Sequence, residues 1–108
     1  MSIKPTARMK KRYVAFKVIG DTAVMNNEIK SSFYDILNQL YGEIGFADMG
    51  FRLIEFNTET KKGIVRFRKE EINKGIASFA FIKNIKNYNT RLSPLNTSGS
   101  LKKLRKRI

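Results

Sequence analysis

The chain has no cysteine, no histidine and no tryptophan in its 108 residues. Without cysteine there is no disulfide, no thiolate nucleophile and no sulfur ligand for zinc. Without histidine there is no imidazole to act as acid or base near neutral pH. Carboxylates alone remain for metal chemistry, and they are scarce: nine Asp and Glu against 22 Lys and Arg. No apolar run approaches the roughly 20 residues of a membrane span. The basic start, Lys4 to Lys17, leads into a strand-like run and not into a signal-peptide core. The missing cysteine fits a cytoplasmic setting.

Apolar residues make up 42% of the chain and include eight Phe and four Tyr. That suits one small domain with a single core, expected over residues 1–108, with basic segments at 1–11 and 98–108. A core of this size stabilises only modestly.

The net charge of +13 is unevenly spread. Residues 1–20 carry six cations and no acid, residues 72–108 carry nine cations and no acid, and the middle holds all nine acids with seven cations. Two purely basic ends repel each other unless a polyanion relieves them. Nucleic acid is the leading candidate, because phosphate contacts by Lys and Arg release counterions. An anionic membrane surface comes second.

Residues 12–19 (RYVAFKVI) read as a strand, with Val14, Phe16 and Val18 facing one way and Tyr13, Ala15 and Lys17 the other. A helix follows over about 26–41, capped by Asn26 or Asn27, with an apolar stripe of Ile29, Phe33, Ile36, Leu37 and Leu40. Gly42 supplies its stop. Residues 42–50 read as a structured connection with room for a short helical turn. Residues 51–57 and 64–68 read as a hairpin around a polar turn, with Val65 and Phe67 inward and Ile64, Arg66 and Arg68 outward. A second helix is expected over about 70–85. Residues 88–97 look extended, and Pro94 there asks for an edge strand or a bulge. Ser98 or Ser100 caps a last short helix, whose Leu101, Leu104 and Ile108 form a docking stripe.

The order β-α-β-β-α-β is the ferredoxin-like, α+β sandwich layout of RNA-recognition modules, here with a short basic C-terminal helix. Such modules stack bases on aromatics of the two central strands. In this chain Ile64 and Arg66 stand at those positions, and only Tyr13 offers a ring. Recognition through the RNA backbone and shape is therefore expected. The candidate RNA-binding cations are Lys10, Lys11, Arg12, Lys17, Arg66, Arg68, Lys102, Lys103, Arg105, Lys106 and Arg107.

Glu43 with Asp48, and Glu70 with Glu71, are the carboxylate pairs a hydrolase would use. Adjacent acids at a helix start serve the helix dipole instead, and a loop pair is ordinarily solvated. No catalytic or metal-binding residue is assigned. In the second helix, Ile72, Ile76, Phe79 and Ala80 form the core stripe. Phe81 and Ile85 lie more than ~100° from it, counting ~100° per residue. Either the C-terminal helix or last strand covers them, or they meet a protein partner. Gly75, inside this helix, costs ~1 kcal/mol relative to Ala and points to a close approach by something.

Four segments carry a family resemblance in order: Lys11-Arg12-Tyr13-Val14-Ala15-Phe16-Lys17; Tyr41-Gly42-Glu43 with Gly45 and Ala47; Gly63-Ile64-Val65-Arg66; and Ser98-Gly99-Ser100-Leu101-Lys102-Lys103-Leu104-Arg105. The chain resembles the small basic protein subunit of archaeal and eukaryotic ribonuclease P, the family named for the yeast Pop-five protein. Its compact length is closer to the archaeal members. Ser100 stands where the family usually has Thr and keeps the hydroxyl. The resemblance implies an α/β sandwich similar to RNA-recognition modules. It implies a catalytic RNA subunit that removes the 5′ leader from precursor transfer RNA with Mg²⁺, while the protein binds no cofactor. It implies a larger TIM-barrel-like protein partner, the pair assembling as a dimer of heterodimers that supports the catalytic domain of the RNA. Precursor transfer RNA is then met only indirectly, and no membrane is involved. Two other readings remain: a general RNA-binding module of the same fold, for example ribosome-associated, and a small metal-dependent nuclease using Glu43 and Asp48.

Overall fold

The computed structural model describes residues 10–20, 23–85 and 88–108. The β-branched and aromatic run at the start forms β1 (Lys11–Ile19). Then come α1 (Asn26–Asp48), β2 (Arg52–Asn57), β3 (Lys62–Arg68), a 3-10 turn (Lys69–Glu71) and α2 (Ile72–Phe79). A two-residue pair, β4 (Asn84–Ile85) and β5 (Tyr88–Asn89), precedes β6 (Arg91–Ser98) and α3 (Leu101–Arg107). Of the expected arm over 1–11, residues 1–9 lie outside the described residues, and Lys11 already belongs to β1.

The main sheet has the antiparallel order β2-β3-β1-β6, so β1 and β3 are central. This is the ferredoxin-like arrangement. β6 is an edge strand. Its register passes from Ala15 opposite Asn96 to Phe16 opposite Pro94, a bulge at Leu95. Pro94 thus sits at an edge and beside a bulge, where its missing N–H is tolerated.

One face of the sheet carries the main core. Val14, Phe16, Val18, Val65 and Phe67 pack against Ile29, Phe33 and Leu37 of α1 and Phe79 of α2. The rings of Phe16, Phe33 and Phe79 meet edge to face, with centroids 5.3 to 5.9 Å apart. Such pairs add to the burial of their area. Gly42 breaks the helical path of α1 with φ 75° and ψ 174°, so a short second turn follows the expected helix. α1 starts one residue earlier than Asn26 or Asn27 capping requires. Met25 is its N-cap, and Glu28 Oε1 accepts a hydrogen bond from the Met25 N–H at 2.8 Å.

The second helix is shorter than its periodicity suggests. It ends at Phe79, and Ala80, expected in the core stripe, is exposed. Leaving the helix lets Ile82 and Ile85 both reach the main core, where each is 2% exposed. Tertiary burial overrides the helical pattern here. Ile85 is therefore a core residue and not part of a free surface, and the helix face it was to share with Phe81 does not exist. α3 does not cover Phe81 either; it lies on the other side of the sheet.

Candidate nucleic-acid interface

The second sheet face carries the outward residues of β1 and β3. Opposite one another stand Lys11 and Arg68, Tyr13 and Arg66, Ala15 and Ile64, and Lys17 and Lys62. α3 lies across this face. Ser100 caps it, its Oγ accepting from the Lys103 N–H at 3.3 Å, while Ser98 Oγ accepts from the Ser100 N–H at 3.0 Å. Leu104 is fully buried against Ala15 and Ile64, and Leu101 and Ile108 pack with Tyr13 and Ile54 around them. The apolar stripe read from the sequence is the docking stripe. It lands on the positions where an RNA-recognition module displays its stacking aromatics. Ile64 is buried and Tyr13 half-buried, so this face has no open platform for bases.

The cations sit around this plug. Lys102, Lys103, Lys106 and Arg107 are exposed on α3. Arg105 is engaged: its Nη2 and Nε donate to Glu55 Oε1 at 2.7 and 2.9 Å. Lys10, Lys11, Arg66 and Arg68 gather at the end where β1 begins and β3 ends. The Lys10 carbonyl accepts from the Lys69 N–H at 2.8 Å. Arg66 Nε donates to the Gly50 carbonyl at 3.2 Å, and Arg68 Nη1 donates to the Asp48 carbonyl at 3.3 Å.

Arg12 has the opposite parity. It pairs with Phe67 in the register, its Nη1 donates to the Lys11 carbonyl at 3.1 Å, and its guanidinium rests on Gly99. A Cβ at Gly99 would stand 2.8 Å from that nitrogen, so two of the resembling segments meet there in space. Lys17 lies away from Arg66 and Arg68, four residues along β1 from the Arg66 partner Tyr13, about 13 Å. The Ala15–Ile64 row and α3 stand between them.

Two cations of this face escape a reading of single segments. Arg52 of β2 stands directly opposite Arg66, and Lys62 directly opposite Lys17. The β2–β3 hairpin register would reveal the first, yet β2 shifts register between Leu53 and Glu55, and the second depends on the long-range β1–β3 register.

The carboxylate pairs do not converge. Glu43 and Asp48 are exposed, five residues apart on a helical turn, which puts them about 140° apart around it. Glu70 lies 3.8 Å from Arg68 Nε, and Glu71 lies 3.5 Å from Lys74 Nζ. Phe81 is 55% exposed and borders a shallow depression with Ser32, Asp35 and Ile36 of α1. It is on the helix side, away from α3. No helix among the described residues is long and apolar enough to cross a membrane.

Fold and site together define a small, strongly basic ferredoxin-like module whose base-stacking face is closed by its own C-terminal helix. The chain belongs to the Rpp14/Pop5 family, whose model matches residues 12–108. It is similar to the ribonuclease P protein component 2 of Pyrococcus furiosus, with 32% identity over 107 residues covering 99% of this chain and 89% of that protein. The protein of the same name from Archaeoglobus fulgidus is 27% identical over 105 residues, covering 97% and 94%. Among solved structures, a chain in the cryo-EM structure of yeast ribonuclease MRP shares the fold. Its TM-score is 0.71 at 13% identity, covering 93% of this chain and 92% of that one.

Proposed function

We propose that the chain is a non-catalytic protein subunit of ribonuclease P, supporting an RNA catalyst that removes the 5′ leader from precursor transfer RNA. The observation that carries this reading is the family match along nearly the whole chain, including the Ser98–Arg105 segment that builds and docks α3. The surface chemistry supports it. Exposed cations surround a closed sheet face, which suits phosphate contacts and not base reading. Mg²⁺ serves the RNA in this reading, and the protein holds no cofactor. The partners are the catalytic RNA and a larger TIM-barrel-like subunit, the pair assembling as a dimer of heterodimers in the cytoplasm. Phe81 is the residue assigned to the protein partner.

Reconstitution tests this. The catalytic RNA and the larger subunit are assayed for precursor cleavage at low Mg²⁺, with and without this chain. Faster cleavage with the chain present, and none by the chain alone, is the expected result. Cleavage by the pure protein, lost in Glu43→Ala or Asp48→Ala, overturns it. Tight binding to arbitrary RNA with no effect on precursor cleavage would favour a general RNA-binding module.

A further inference from the structure

Two like-charge pairs stand side by side on the sheet face that α3 crosses, at the end beyond the row it covers. Arg52 is directly opposite Arg66, and Lys11 is directly opposite Arg68. Directly opposite residues on one face have Cβ atoms about 4.5–5.5 Å apart, and like charges there are destabilising. Among the described residues no acid pairs with Arg52, Arg66 or Lys11, while Arg68 Nε has Glu70 at 3.8 Å. Arg66 is held in place, since its Nε donates to the Gly50 carbonyl at 3.2 Å. Its two terminal amino groups have no protein partner among the described residues. α3 closes the neighbouring Ala15–Ile64 row, so the arginine pair lies between that helix and the turn at Asp48–Gly50.

We propose that Arg52 and Arg66, with Lys11 on the next row, form a binding site for a backbone phosphate of RNA. The assignment rests on the RNA-binding reading above and adds where the strand passes. One phosphate between the two arginines relieves their repulsion, and guanidinium forks match phosphate oxygens in pairs. Arg66 and Arg68 are two residues apart on β3, about 6.6 Å. Successive phosphates of one strand and alternate carboxylates of an extended acidic segment are both spaced on that order, so the choice of RNA rests on the net charge of +13 and on the RNA-binding reading above.

The test measures binding of the whole chain to transcribed ribonuclease P RNA across a salt series. Arg52→Gln with Arg66→Gln removes the one phosphate contact the pair shares and should flatten the salt slope by about 0.7 to 0.9. Lys17→Gln with Lys62→Gln removes the same charge from the far end of the face and should flatten it by less than half as much. Equal flattening by both pairs would mean that only net charge matters and would overturn the site. An unchanged slope in the arginine pair, beside a normal wild-type slope, overturns the site alone. Lost association with the larger protein subunit at an unchanged RNA slope overturns it in favour of an acidic protein contact. A wild-type chain with no salt-dependent RNA binding removes the functional reading, and the site with it. Should the glutamine pair melt early, Arg52→Lys with Arg66→Lys decides. It keeps both charges and loses the forks, so affinity should fall several-fold at a retained slope, and unchanged affinity overturns the site.

Discussion

Gly75 stands in the middle of α2 because the ring of Phe67 lies against that helix. A Cβ there would sit 2.6 to 2.7 Å from three ring carbons. The glycine that sequence alone marks as costly makes room for the sheet beneath. Gly75→Ala gains up to about 1 kcal/mol of helix propensity and meets a fully buried ring that has nowhere to move. Overpacking of that kind costs about 1–3 kcal/mol. The variant should therefore lose up to about 2 kcal/mol net, read from a urea melt, and a more stable variant would show that Phe67 can yield. Gly63 plays the same part for Phe16, whose ring atoms would lie 2.7 to 2.9 Å from its Cβ. Arg105 shows the reverse, a residue whose type misleads. It belongs to a run of cations, yet its Nε and Nη2 both donate to Glu55, and the pair is about half exposed. Arg105→Gln should cost no more than about 0.2–1 kcal/mol, as exposed ion pairs do. It should also leave the salt slope of RNA binding close to wild type. A slope lowered as much as by Lys102→Gln would show that Arg105 leaves Glu55 for a phosphate.

α3 has seven residues, too few to hold a helix in isolation. Its order comes from Ser100 at one end and the burial of Leu104 on the sheet. Leu104→Asp keeps every cation and places a carboxylate against Ala15 and Ile64. It should undock the helix and weaken RNA binding, with more binding of a hydrophobic dye as the face opens. Wild-type affinity with the helix undocked would show that presentation by α3 does not matter. This element also marks how far the sequence is legible. The stripe Leu101, Leu104, Ile108 can be read from spacing, as can β1, the first turns of α1, the β2–β3 hairpin and the edge position of Pro94. Each rests on a local period or a local turn. What covers what is settled by tertiary packing. The early end of α2, the burial of Ile85 and the separation of Lys17 from Arg66 follow from the core and from sheet register. A one-residue shift such as that at Leu53–Glu55 hides the Arg52–Arg66 pair from any single segment.

At the scale of the molecule the two sides of the sheet differ in chemistry. On the helix side the large exposed ring past α2 is Phe81, beside α1. On the other side the described part of the N-terminal basic segment meets the C-terminal one, since β6 delivers Ser98 next to Tyr13 and α3 then crosses the face. Sites carried on opposite faces should be separable by mutation. Phe81→Glu should abolish association with the larger protein subunit, with a native circular dichroism spectrum and an unchanged salt slope for RNA. Lys102, Lys103, Lys106 and Arg107 all changed to Gln keep the docking stripe and the Arg105–Glu55 pair. If all four touch phosphate, that variant should flatten the slope by about 0.7 to 0.9 per contact, up to about 2.8 to 3.6. Its association with the protein subunit should be unchanged. Deleting residues 100–108 is a poorer probe, because it also bares Ala15 and Ile64. Two measurements on each variant, a salt series with RNA and a pull-down with the larger subunit, therefore suffice. If Phe81→Glu lowers the RNA slope, or the glutamine variant loses the protein partner, RNA and protein share one surface and the two-sided arrangement fails.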